Sequence, residues 1–364
     1  LETIDLKKFP STRYQGSKRK MLPWINEVVK EFDFNSVLDG FGGTGSVSYL
    51  FKKLNKQITF NDVLKFNSII GKAIIENSEF ILSDVEVETF LKFENYRKSK
   101  HFIEKSFKDI YYLDEENKWL DKIINEINLF QSGKTKKEVE LKRAIAFYSI
   151  FQSCLIKRPF NLFHRKNLNL RTNENVIRSF GNKTTWDRSF PHYFKKFCKE
   201  ANNLVFSNGQ NCKSLNQSIF DVKLNNNSYD LVYLDPPYIK TKGSNETADY
   251  LRCYHFLEGI SIYSEWKEMI NEATINKRFH KDYLDEDFNE KNILKSFEKI
   301  FEKYQKSIII LSYKFGGTPS IDKLVELLGK FKENTVKKSI HYKYALNHQN
   351  GDMKFNREFL IIGY

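Results

Sequence analysis

Cysteine, clustered histidine and long apolar runs are what this chain of 364 residues has little of. Its four cysteines, Cys154, Cys198, Cys212 and Cys253, form no Cys-x-x-Cys pair, which argues against a zinc ribbon and suits a reducing cytoplasm. The seven histidines do not cluster at ligand spacing, so no metal is expected. No apolar run approaches a membrane span, and the polar, basic N-terminus has no signal-peptide core. The expectation is a cytoplasmic, monomeric protein with no membrane partner. Acidic residues are in deficit: 46 Asp and Glu stand against 59 Lys and Arg, a net charge of +13. That balance favours a polyanionic partner. The 32 Phe and 19 Tyr argue against disorder, and the length fits one large domain or two.

What the chain does have is concentrated in a few stretches. Tyr229-Asp230-Leu231-Val232-Tyr233-Leu234 reads as a buried parallel strand that stops at Asp235-Pro236-Pro237-Tyr238. Two prolines fix two φ angles and remove two backbone donors, so a central strand cannot continue through them. A carboxylate and an aromatic ring are thereby held at the carboxyl end of a strand, the edge where open α/β sheets bind ligands. Asp235 and the Pro236 carbonyl are both acceptors and suit a group with two donor hydrogens, such as an exocyclic amine. The ring of Tyr238 offers a stacking face for a flat base.

Upstream, Ser36–Asp39 reads as a strand running into Gly40-Phe41-Gly42-Gly43-Thr44-Gly45, followed by a helix from Ser46 to about Leu54. Glycines there let the backbone approach a ligand closely. A second strand, 58–62, ends at Asp62, near the offset where an acidic residue grips ribose hydroxyls. No Gly-Lys-Ser/Thr follows the turn, which excludes a Walker loop. The pattern alone does not separate a nicotinamide cofactor from S-adenosylmethionine. Before it, Arg13-Tyr14-Gln15-Gly16-Ser17-Lys18 forms a basic turn into a helix reaching about Phe32. A cation near a helix start is not favoured by the dipole, so Lys18 implies a bound anion.

Residues 67–130 and 138–156 carry helical periodicity, separated by a polar, basic break at 131–137. Between Leu155 and Arg171 cations interleave with aromatics and Asn: Lys157, Arg158, Asn161, Arg165, Lys166 and Arg171. That mixture suits phosphate and base-edge contacts, and Trp186, Arg188, His192, Lys195 and Lys196 extend it. Residues 203–206 read as a further sheet strand, and 240–247 as a small polar loop able to close over a base. Residues from Tyr254 begin a helix, and 264–306 read as mostly helical with a solvated, charged face. Ser307–Tyr313 is a buried strand, and about 321–331 a helix. Last come two alternating segments, 335–345 and 357–364, around an Asn350-Gly351 hairpin signal.

Together these stretches resemble the amino-methylating DNA methyltransferases, the N6-adenine (D12, Dam-like) class above all. Asp235-Pro236-Pro237-Tyr238 resembles their catalytic motif, and Tyr14 with Gly16-Ser17-Lys18 their N-terminal cofactor motif. The resemblance implies an α/β fold: a Rossmann-like class I S-adenosylmethionine-dependent sheet with an antiparallel C-terminal hairpin and a mostly helical recognition insertion. The catalytic domain would be 1–74 with 201–364, and the insertion 75–200. Implied roles are catalysis by Asp235, Pro236, Pro237 and Tyr238, and S-adenosyl-L-methionine binding by Tyr14, Lys18, Asp39, Phe41, Gly42, Gly43, Gly45, Asp62 and Asp235. Double-stranded DNA would be the substrate, and a restriction endonuclease acting on the same site a partner. Cytosine-C5 chemistry needs a Pro-Cys nucleophile, and no cysteine here follows a proline. Cytosine-N4 methylation, which usually shows Ser at the Asp235 position, stays open. So does an RNA amino-methyltransferase. A non-catalytic DNA-binding module would need neither the glycine turn nor Asp235.

Overall fold

The computed structural model describes residues 4–11, 13–94, 101–175, 183–224, 229–240, 249–280, 283, 288, 291–341 and 357–364. The polar loop at 241–247 and the Asn-Gly signal at 350–351 lie outside them.

Seven strands form one sheet: β1 (Ser36–Asp39), β2 (Gln57–Asn61), β3 (Lys213–Leu215), β4 (Leu231–Leu234), β6 (Ile308–Lys314), β8 (Thr335–His341) and β9 (Arg357–Gly363). Their spatial order is β3-β2-β1-β4-β6-β9-β8. The first five are parallel, and β9 runs antiparallel to β6 and to β8. The strands that read as unbroken apolar runs are central, because both their faces are covered: all four residues of β4 are buried. Val37, Leu231, Ile310 and Leu360 point to one core; Leu38, Val232, Leu311 and Ile361 point to the other. That alternation is the two-residue period of the strand.

The winding reverses between β1 and β4. From β1 the chain steps outward to β2 and β3, then returns to lay β4 on the opposite side of β1, with Asp39 beside Tyr233. A crevice opens at the carboxyl ends of strands where such a reversal occurs. A short pair, β5 (Ile239–Lys240) with β7 (Gly317–Thr318), anchors the backbone that leaves Pro237 to the turn after β6.

The first core runs from the sheet without a break into helices Asp84–Lys92, Asp114–Leu129, Lys136–Ile156, Phe190–Leu204 and Tyr250–Ser261. Thr135 caps Lys136–Ile156, accepting from Glu138 N at 3.1 Å, and from Ala144 to Ile156 every residue of that helix is buried. These helices therefore share their core with the sheet.

Two expectations need correction. Residues 203–206 are not a strand: Phe190, Tyr193, Phe194, Phe197, Ala201 and Leu204 keep helical spacing, and that buried stripe holds the helix through Leu204. The third strand is Lys213–Leu215. Nor is 264–306 only a solvated face. Helices there cover Trp266–Met269 and Ile293–Lys303, and Trp266 is fully buried against Phe102, Phe107 and Phe256. Its ring takes the space where a Cβ on Gly259 would stand, 1.8 Å away, so only glycine fits there.

Candidate active site

Asp39 ends β1 with 1% of its surface exposed and accepts from Ser48 Oγ at 2.7 Å. Burial pushes its carboxyl up to about 7, against the Ser48 hydrogen bond. The glycine turn follows. A Cβ on Gly42 would lie 2.2 Å from the Phe60 ring, so the turn can sit this close to β2 only with glycine. Asp62, just past β2, accepts from Gly43 N through one carboxylate oxygen and from Leu64 N through the other, both at 2.9 Å. It thereby shapes the turn. Burial still raises it to about 6, outweighing those two donors.

Tyr14 is stacked on Tyr254 with ring centroids 4.3 Å apart, and its hydroxyl accepts from Asn67 at 3.3 Å. Gly16, at φ +81°, then turns the chain toward Lys18, which is 3% exposed. The Lys18 ammonium donates to Asp235 Oδ1 and to the Tyr238 hydroxyl, both at 2.7 Å, and lies 3.3 Å from Glu358 Oε1. Tyr238 in turn has its one proton between Asp235 Oδ1 at 2.6 Å and Glu358 Oε1 at 2.8 Å. Burial alone would lower the Lys18 ammonium, but the two carboxylates outweigh it and hold it above the usual lysine range. Asp235 is raised, first by burial and against the pull of Lys18, with Glu358 adding to the rise. The ring of Tyr238 packs edge-on to Tyr313, centroids 5.3 Å apart.

These residues surround one open cleft of about 660 Å³. Eight of the nine residues expected at the cofactor line it; Gly45, at φ +73°, sits behind the turn at the start of helix Ser46–Lys53. Asp235 and Pro237 reach the cleft, whereas Pro236 is buried and Tyr238 stands behind Asp235. Asp39, Asp62 and Asp235 against the single Lys18 make the wall acidic. An acidic wall with a close glycine backbone fits a nucleoside that carries a positive charge, as S-adenosylmethionine does.

The basic stretch is a different matter. Lys157 is 1% exposed; its ammonium donates to the carbonyls of Trp186 and Arg188 and pairs with Glu116 at 2.9 Å. Arg158, 2% exposed, donates to the carbonyls of Leu162, Lys166 and Arg165 at 3.1, 3.0 and 2.7 Å. Arg171 grips Glu116 with two bonds of 2.8 Å. Lys157, Arg158 and Arg171, expected to present their charge to phosphate, thus point their charged ends at groups inside the protein. Asn161 is half-buried in a left-handed turn at φ +56°, and Arg165 and Lys166 are exposed.

Sequence reasoning missed Glu358 and Ser312, whose hydroxyl donates to Glu358 Oε1 at 2.9 Å. The signal was in the strand: Glu358 shares the period-two face of Leu360 and Ile362, where a core strand carries apolar residues.

A mostly parallel sheet that reverses at β1, with a glycine turn there and Asp-Pro-Pro-Tyr at the end of β4, is consistent with a methyltransferase fold. The model of the D12 class N6 adenine-specific DNA methyltransferases matches residues 14–308, and the chain belongs to that family. It is 27% identical over 360 residues to the type II methyltransferase M2.HphI of Haemophilus parahaemolyticus, covering 97% of this chain and 98% of that one. The type II methyltransferase M.NlaIII of Neisseria lactamica is 21% identical over 95% of this chain and 96% of its own. The modification methylase LlaI of Lactococcus lactis subsp. lactis is 25% identical over 96% of this chain, which spans 54% of that protein. The reaction is methyl transfer to the N6 amine of adenine in DNA. Among the described residues no helix is long and apolar enough to cross a membrane, and no three His, Cys, Asp or Glu side chains group as metal ligands.

Proposed function

We propose that the protein methylates one adenine of a specific duplex DNA sequence after that base has swung out of the helix. We place it as the modification partner of a restriction endonuclease acting on the same site. The observation that carries the reading is the carboxylate of Asp235, fixed by Lys18 and Tyr238 at the rim of a cleft built for a cationic nucleoside.

The adenine amine is a poor nucleophile because its lone pair is delocalised into the ring. Asp235 and the Pro236 carbonyl accept its two hydrogens and favour a tetrahedral nitrogen, an interaction stronger in the transition state than before it. Lys18 and Tyr238 occupy Asp235 Oδ1, which leaves the other carboxylate oxygen for the amine. Bound S-adenosylmethionine supplies an electrophilic methyl group. Asp62 would take the ribose hydroxyls, the backbone of Gly42 and Gly43 and the ring of Phe41 would accommodate the nucleoside, and Asp39 would complement its positive charge. The target amine is paired inside duplex DNA, so flipping is required at a cost of a few kcal/mol. Stacking on an aromatic face offsets about 1–3 kcal/mol of it. Residues 75–200 act as the recognition insertion, with Arg165 and Lys166 on the DNA side. The protein works as a monomer in the cytoplasm.

The test is transfer of tritiated methyl to duplex DNA, with digestion to nucleosides to show N6-methyladenine. Asp235→Ala should lower the single-turnover rate by ~10³-fold or more, while circular dichroism and DNA binding persist. A wild-type rate in Asp235→Ala would sink this assignment of the active site.

A further inference from the structure

Glu358 is a buried carboxylate with no part in the assigned site. It lies on β9, 0% exposed, on the face that carries Leu360 and Ile362 into the core. Burying a charge is costly, and a leucine at such a position would simply pack. The carboxylate is nevertheless well served. Ser312 Oγ, the Tyr238 hydroxyl and the Lys18 ammonium all converge on Oε1, at 2.9, 2.8 and 3.3 Å. Two of these three donors also serve Asp235.

The arrangement answers a problem in the reaction. As the amine nitrogen gains the methyl group, the C–S bonding pair stays with sulfur and the nitrogen must give up one proton. Asp235 is the acceptor within reach, and on taking the proton it becomes neutral. With Asp235 alone, that event would leave the Lys18 ammonium buried without a counter-ion. With Glu358 in place, Lys18 stays paired, and the Tyr238 proton turns from Asp235 Oδ1 to Glu358 Oε1 over a difference of 0.2 Å in reach, from 2.6 to 2.8 Å.

Resting on the reading of Asp235 given above, we infer that Glu358 is a positioning residue for methyl transfer. Its negative charge keeps Lys18 compensated and makes Asp235 basic enough to take the amine proton. The other titratable groups facing Asp235 do not supply this. Lys18 opposes it. Tyr233, Tyr238 and Tyr250 are phenols, held protonated at neutral pH by burial for Tyr233 and Tyr250. Asp39, from the end of β1, is itself raised to about 7 and is partly neutral near pH 7.

The experiment uses the full chain, S-adenosylmethionine and duplex DNA, and reads the single-turnover rate against pH. Glu358→Gln keeps the shape and the accepting oxygen but removes the charge. The rate at neutral pH should fall at least about tenfold with cofactor affinity nearly unchanged. The acid limb should move to lower pH, because the charge that raised Asp235 is gone. Glu358→Asp keeps the charge and should recover part of the rate, with the limb close to that of wild type. Lost packing alone would slow both variants and move neither limb, and that result overturns the inference. So does a Glu358→Gln enzyme indistinguishable from wild type. If Glu358→Gln fails to fold, Glu358→Leu, which can pack with Leu360 and Ile362, takes its place: an acid limb shifted to lower pH supports the inference, and one at the wild-type position overturns it. Absence of N6-methyladenine from the wild-type reaction would instead count against the proposed function.

Discussion

Lys18 and Arg158 are equally hidden, 3% and 2% exposed, yet they belong to opposite kinds of place. Arg158 turns its guanidinium on three carbonyls of the loop that follows it, at Leu162, Arg165 and Lys166. Burial lowers it to about 10, still charged at any ordinary pH, and its hydrogens have nowhere else to go. Lys18 meets two carboxylates and a phenol on the rim of a cleft, and with the Gly16 carbonyl at 3.4 Å four acceptors converge on an ammonium that has three hydrogens. Burial and charge therefore do not separate a working cation from a structural one. The identity of the partners does. Carbonyl partners make a cation a bolt, whereas ionisable partners that face open space make it part of a device whose charges change.

The sharpest way to break this contrast is Arg158→Met. Removing the guanidinium leaves three carbonyls to find new donors, and each buried acceptor left unsatisfied costs about 1–3 kcal/mol. We expect a loss of ~3–5 kcal/mol in chemical denaturation, the scale of breaking a buried ionic network. Unchanged stability with weaker, less salt-dependent DNA binding would return Arg158 to the phosphate role.

The exposed pair sets the other side. Arg165→Ser with Lys166→Ser should leave the denaturation midpoint in place. It should also flatten the dependence of log Kd on log salt by up to about 2, at roughly 0.9 for each phosphate no longer neutralised. A salt slope equal to wild type would put the DNA surface elsewhere.

The same contrast explains what the sequence made legible. Asp235-Pro236-Pro237-Tyr238, the glycine turn and Asp62 carry local instructions: a stiff stop, a close backbone approach, a strand end. Such signals are read within ten residues, and the strands that bear them fell where expected. Helix periodicity was equally local but was cut short at 203–206, where the apolar stripe of Phe190–Leu204 still had one position to run. The basic stretch misled because the partners of a buried cation are non-local. Lys157 finds Trp186 O across 29 residues, and Arg171 finds Glu116 across 55. Glu358 is the extreme case, 120 residues from Tyr238 and paired with Lys18 near the other end of the chain. Only the antiparallel register of β9 on β6, with Glu358 opposite Lys314, brings it beside the Asp235–Tyr238 turn.

Asp39 gives the smallest expected effect and tests whether cleft charges are held at a cost to the fold. Its carboxyl rises from 3.8 to about 7 through burial, so the folded protein prefers the proton more than the unfolded chain does. A group raised in this way favours the folded state fully below about pH 4, and that contribution is lost as pH climbs through about 7. Asp39→Asn has no charge to bury and can keep the Ser48 contact through its amide oxygen. At pH 8 the variant without cofactor should be more stable than wild type, by a few degrees in Tm for a chain of this size. The gap should shrink as pH falls below 7 and close near 4. Asp62, raised to about 6 with the same sign, is present in both proteins and cancels in the difference. On the proposed reading the variant should also bind S-adenosylmethionine more weakly by calorimetry, because it lacks a charge on the cleft wall. Equal stability at pH 8 and unchanged cofactor affinity would make Asp39 a bolt like Arg158, and would confine the charged device to Lys18, Asp235, Tyr238 and Glu358.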